Sequence, residues 1–310
     1  MLQLNETDSR DDRVHHYERL LGQAARGGSA AYRAAERWLA IHDLFYLLIF
    51  ILHRRDLDHD FLFARCQEVQ ASPNGHLDLW AREHGKTSII SFGLTIQDIV
   101  RDPEVTIGIF SHTRPMARRI LRQVKTELER NERLKTLFDD ALWAEPQKQA
   151  PKWSEEDGLI VRRAGNPGES TLEAWGMVDG LPTGKHFQVR VYDDVIDKKA
   201  VNTPEMIAKV TEMWELSLAL GRRDGHERYI GTRYHFNDTY REIMARGAAV
   251  PRIYPATHDG TVDGDPVLMT RAELAKRRRN WGPVHLLGAD AAEPDLRHAP
   301  RLPAGLAAPS

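Results

Sequence analysis

The chain has 310 residues, 41% of them hydrophobic, with 43 Lys and Arg against 45 Asp and Glu. That content suffices for one large domain or two small ones, and a net charge of −2 excludes nucleic-acid binding by overall charge, leaving only a local basic face. The single cysteine, Cys66, excludes an internal disulfide framework and a Cys-based zinc site and points to the cytoplasm, while the longest apolar run, LFYLLIFIL, is far shorter than the roughly 20 residues of a membrane span.

Residues 1–13 are polar without periodicity and read as a loose, disordered tail. From 14 to 70 the pattern is helical: HHYERLLGQAARGG, then AAYRAAERWLAIHDLFYLLIFIL, then FLFARCQEVQ. After Asn74 and Gly75 short apolar strands alternate with helical segments, which predicts an α/β fold with a mainly parallel sheet flanked by helices. Strands are expected near 76–80, 105–111, 187–192 and 228–232, and helices near 86–100, 115–138 and 204–220, with Pro115 and Pro204 at helix starts. LIVRR (159–163) and TLEAWGM (171–177), around the turn-rich AGNPGES, read as an inserted hairpin. Residues 284–310, rich in Ala, Pro, Leu and Gly, read as a disordered tail. The expected division is a helical region over 1–70, a nucleotide-binding domain over 71–283 and that tail.

The strand HLDLW runs into AREHGKTS. A phosphate-binding loop needs a strand that delivers the chain, backbone N–H groups that cradle phosphate, a Lys for the phosphate charge and a hydroxyl for Mg²⁺. Arg82, Glu83, His84, Gly85, Lys86, Thr87 and Ser88 supply that run, with Lys86 as the cation and Thr87 as the hydroxyl, although Trp80 stands where the usual pattern has its first glycine. Taken alone the run is equally compatible with a plain turn before a helix. The second part is FQVRVYDDVID: in phosphoryl transfer one acid at a strand end holds the Mg²⁺ shell and its neighbour orients the attacking water, which assigns Asp193 to the metal and Asp194 to the water. Helix-capping aspartates are the alternative. A third strand, in ERYIGTRYH, ends at Thr232, which can sense the γ-phosphate or merely close a turn. A second GK, in DGLPTGKHF, lacks a preceding apolar strand and has His186 where the hydroxyl belongs, so it reads as a loop. The run KRRRN (276–280) suits either a DNA-facing basic helix or a solvated helix end. His15, His16, His53 and His59 show no metal-ligand spacing.

In order, AREHGKTS, SHTRPMARRIL, STLEAWGMVDGLPTGKHF leading to VYDDVID, and GTRYH resemble the ATPase domain of the large terminase subunit of tailed bacteriophages and prophages, proteins that pump genome DNA into a capsid. The resemblance covers about residues 60–283 and is carried by the order of the motifs; an Arg within the loop and no leading glycine are typical of that family. It implies a P-loop NTPase fold of the ASCE type and an ATP-hydrolysing motor that translocates double-stranded DNA. Lys86 and Thr87 would bind phosphate and Mg²⁺, Arg82 would contact the γ-phosphate, Asp193 would be the metal-shell acid and Thr232 would lie in the coupling motif. The implied cofactors are ATP and Mg²⁺. The implied partners are double-stranded DNA, the portal protein, the small terminase subunit and further copies in a ring, with no membrane involved. Two departures stand out. Asp194 occupies a place where many large terminases have Glu, and no nuclease domain follows RAELAKRRRNWGPVHLL, so a truncated motor without nuclease activity is expected. The alternatives are a catalytically idle prophage remnant that only binds nucleotide or a partner, and another nucleic-acid-dependent P-loop ATPase such as a helicase.

Overall fold

The computed structural model describes residues 9–197, 201–232, 238–261 and 263–280. The expected tail over 284–310 and most of the first residues lie outside them.

Helix α1 (Arg10–Arg26) starts inside the stretch expected to be loose, because the Ser9 side chain accepts from the Asp12 amide at 3.2 Å and Asp11 and Asp12 place negative charge in the first turn. Helix α2 (Ser29–His42) and the apolar run after it are not one helix, as the sequence suggests. Asp43 is extended between them; its carboxylate accepts from the Tyr46 amide at 3.0 Å and starts α3 (Leu44–Tyr46), which winds on as a π-helix over Leu47–Ile51. Buried Asp43 is satisfied by Arg13 at 2.9 Å and Tyr17 at 2.7 Å, as a buried carboxylate must be. Helix α4 (Asp60–Ala71) then leads to the sheet.

The chain continues through β1 (His76–Trp80), a π-helix over Thr87–Leu94, α5 (Thr95–Arg101), β2 (Ile107–Ser111), α6 (Arg114–Arg130), α7 (Glu132–Leu137) and α8 (Pro146–Gln149). It goes on through β3 (Trp153–Ser154), β4 (Gly158–Leu159), β5 (Leu172–Gly176), β6 (Phe187–Asp193), α9 (Pro204–Leu218), β7 (Gly221–Gly231), α10 (Thr239–Ala245), β8 (Val250–Tyr254) and α11 (Arg271–Asn280). The eight strands form one sheet in the order β3-β4-β5-β2-β6-β7-β1-β8, parallel except for the pairs that β4 makes. This is the expected α/β class, with β7 inserted between β1 and the acidic strand β6. Every residue of β2 is buried, as in a sheet covered on both faces. One apolar cluster joins Phe45 and Leu48 of the helical lead-in to Ile89 and Ile96 after the loop and to Ile107 and Val191 of the sheet.

Four details differ from the expected elements. The helix expected over 115–138 breaks at Asn131, whose side chain accepts from the Leu134 amide at 2.9 Å and starts α7. The hairpin is β3–β4, ending at Leu159, whereas β5 is a full strand parallel to β2. Strand β7 begins at Gly221 rather than near 228, extending outward on exposed residues. Strand β8 and helix α10 are additional elements.

Candidate phosphate-binding site

Strands β1, β6 and β7 run parallel, so their carboxyl ends share one edge of the sheet: Leu79 lies opposite Gly231, and Asp193 opposite Ile230. Ligands of open parallel sheets gather at such an edge. The segment from Ala81 to Lys86 leaves β1 there.

Trp80, in the place of the first glycine, is a core residue with 1% exposure; its indole donates to Asp78 at 3.0 Å and meets the Tyr254 ring edge-on. The loop is therefore anchored by packing, and β8 adds a backbone tie from the Ala81 amide to the Tyr254 carbonyl at 2.8 Å. The turn itself uses left-handed backbone at Glu83 (φ 62°) and Gly85 (φ 77°). At Gly85 a Cβ would also come within 3.2 Å of Leu57, so glycine suits the position on both counts. His84 is buried and its Nδ1 donates to the Arg82 carbonyl at 2.8 Å. Burial, followed by the charges of Lys86 and Arg277, pushes its pKa down and favours the neutral ring.

The helix after the loop aims two hydroxyls at β6. Thr87 Oγ1 donates to Asp193 Oδ1 at 3.3 Å, and Ser91, about one turn further on, donates to Asp193 Oδ2. Burial, then repulsion from Asp194, pushes the Asp193 carboxyl up to about 7, against the hydroxyl donors and Lys86. Asp194 has left-handed backbone (φ 46°), a costly conformation for a residue with a Cβ, held by its amide on the Ile230 carbonyl at 2.9 Å and by the His112 amide on its own carbonyl at 3.2 Å. Its Oδ1 is buried and has no hydrogen-bond partner among the described residues. Lys86 Nζ donates to Thr232 Oγ1 at 2.9 Å, at the end of β7. Gly231 before it is packed so closely that a Cβ would lie 2.2 Å from the Tyr240 hydroxyl, which ties this strand end to α10.

Of the residues singled out from sequence, Lys86, Thr87, Asp193, Asp194 and Thr232 thus meet at one edge. Arg82 lies half-buried in the first turn of the loop. Glu83 points outward to Arg277, and Ser88 accepts from Arg54 at 3.0 Å, so their side chains face protein groups. Ser91 and Arg54 were not singled out. Ser91 is legible only once the helix is known to start at Thr87; nothing in the sequence connects Arg54 with Ser88. The second GK is a loop as expected, with Lys185 held by Glu173 and the Gly168 carbonyl, both at 3.0 Å. The scattered histidines build no metal cluster among the described residues, and no described helix is long and apolar enough to cross a membrane. A groove of about 530 Å³ beside Trp143 and Arg162 contains none of the site residues.

No protein-family model and no curated protein matches the sequence. Among solved structures, the chain is similar to the large terminase ATPase domain of Thermus phage P74-26, with 16% identity, a TM-score of 0.42 and coverage of 74% of this chain and 88% of that one. It is similar to a point mutant of the same domain, with 17% identity, the same TM-score and the same coverage.

Proposed function

We propose that residues 71–283 form an ATP-hydrolysing motor unit of the terminase type, which drives double-stranded DNA toward a procapsid. The observation that carries this reading is the convergence of Thr87 and Ser91 from the helix after the loop on Asp193 from β6, with Lys86 spanning to Thr232 on β7. The motif order in the sequence supports it independently. Thr87 and Asp193 offer hard oxygen donors, the set that Mg²⁺ prefers, and Ser91 holds the second carboxylate oxygen in place. Bound Mg²⁺ supplies neutralisation of charge on the β- and γ-phosphate oxygens.

The chain's own residues do the rest. Loop amides from Gly85 to Ser88 cradle phosphate, the His84 amide being held by the Ala81 carbonyl at 3.3 Å; Lys86 exchanges its Thr232 partner for phosphate oxygens, and Arg82 adds a planar cation for the γ-phosphate. Asp194 holds the attacking water through the carboxylate oxygen that has no partner among the described residues, and accepts its proton. Thr232, released by Lys86, carries the change to β7 and α10. Portal protein, small terminase subunit and further copies in a ring belong to the same reading, as does the bacterial cytoplasm. DNA cleavage is not part of the proposal. The test is phosphate release from Mg-ATP by the purified chain. Turnover that disappears in Arg82→Ala and returns only in part in Arg82→Lys is expected, because an ammonium lacks the bidentate fork; wild-type turnover in Arg82→Ala removes Arg82 from the catalytic set.

A further inference from the structure

Helix α11 brings a cation to the loop from 194 residues away in sequence. Its start is fixed by a capping box: the Glu273 amide donates to Thr270 Oγ1 at 3.2 Å, and the Thr270 amide donates to Glu273 Oε2 at 2.8 Å. Leu274 is buried at 3% exposure, and Arg278 and Arg271 tie the helix to Asp263 and Asp265. Held in this way, α11 presents Arg277, whose guanidinium pairs with the Glu83 carboxylate.

Glu83 is the only acid between Ala81 and Ser88. It sits at φ 62° with its side chain 60% exposed, in a turn whose amides and neighbouring Arg82 and Lys86 suit an anion. An incoming phosphate group draws Arg277 away from Glu83.

On the reading of residues 81–88 as a phosphate loop, we infer that Arg277 is a ligand-binding residue of that site: the phosphate oxygens of a bound nucleoside triphosphate compete with the Glu83 carboxylate for its guanidinium, so Glu83 restrains binding and Arg277 strengthens it. A guanidinium suits the exchange because carboxylate and phosphate both accept its paired N–H groups.

Calorimetric titration of the full chain with Mg-ATP and with Mg-ADP tests this in wild type, Glu83→Gln, Arg277→Ala, Arg277→Gln, the Glu83→Gln/Arg277→Ala double variant and Lys86→Ala, with thermal melts confirming that each is folded. Glu83→Gln is expected to tighten ATP several-fold and both Arg277 variants to weaken it by up to about tenfold, the equivalent of about 1.4 kcal/mol. ADP should respond less, and the gain from Glu83→Gln should vanish in the double variant. If Glu83→Gln and Arg277→Ala weaken ATP alike, or if their effects simply add, the pair only fastens α11 to the loop and the inference falls. Loss of ATP binding in Lys86→Ala alongside an uncoupled cycle overturns Arg277 alone, whereas unchanged binding in Lys86→Ala overturns the phosphate loop and the inference with it.

Discussion

Lys86 and Thr232 are joined by a 2.9 Å hydrogen bond from the ammonium to the threonine hydroxyl, across the sheet edge between the ends of β1 and β7. Both are largely buried, at 7% and 6% exposure. In the proposed mechanism, phosphate in the loop gives the ammonium a stronger partner, and that exchange links nucleotide binding to the end of β7. Lys86→Ala is therefore expected to fold normally and to lose hydrolysis by a factor of about 100 or more, the usual cost of removing a charge-stabilising group. Phosphate release and a thermal melt on the same sample measure both halves; near-wild-type turnover contradicts the loop assignment.

The adjacent carboxylates differ in geometry, and the proposed mechanism gives them different work. Asp193 is engaged by Thr87 and Ser91, while Asp194 Oδ1 has no partner among the described residues. Asp193→Asn should shift the Mg²⁺ dependence of turnover to higher concentration. Asp194→Asn should leave nucleotide affinity close to wild type and lower turnover severely, since an amide can hold a water but cannot take its proton. Two variants that are indistinguishable in a Mg²⁺ titration contradict the division.

Asp193 also makes stability depend on pH. Its carboxyl is pushed from 3.8 up to about 7, first by burial and then by Asp194. Below the lower value the folded and unfolded chains both hold the proton; between the two values only the folded chain does, so the stability it contributes is lost as pH rises toward and through about 7. The melting temperature measured without nucleotide should fall by several degrees more in wild type than in Asp193→Asn between pH 5 and pH 8. Equal slopes contradict this.

Much of the sheet was legible because β1, β2 and β6 are short apolar runs bounded by turn residues, and the loop and acid pair sit at their ends. Strand β8 was not, because its inward residue is Arg252, buried against Asp78, while Val250 and Ile253 face outward and Pro251 stands in the strand. That inverts the usual pattern, and an edge strand tolerates the proline. The break at Asp43 was hidden in an apolar run because the Arg13 and Tyr17 that satisfy it come from another helix. Ser91 was missed inside an apolar helix, and the Arg277–Glu83 pair spans too much sequence for any local pattern to reveal. Trp80 departs from the usual pattern without altering the turn, since it is buried at the end of β1 and the segment proposed to hold phosphate follows it.

The Asp78–Arg252 pair, at 2.6 Å with both side chains buried, fixes β8 to β1 and so supports the tie from Tyr254 to the loop. Removing one partner leaves a buried charge, so Arg252→Ala should cost about 3–5 kcal/mol, a drop on the order of 10 °C in Tm. A melt within about 2 °C of wild type would mean that the strand is held without the pair.

The central claim is a phosphate site that drives work on DNA. Its most direct measurement is the steady-state rate of phosphate release from Mg-ATP by the full chain, with and without linear double-stranded DNA, beside Lys86→Ala under the same conditions. Turnover in the wild-type chain should rise severalfold with DNA and be abolished in Lys86→Ala with or without it. Wild-type protein that binds ATP but shows no turnover above the Lys86→Ala background, DNA present or absent, would contradict the motor and leave only a nucleotide-binding fold.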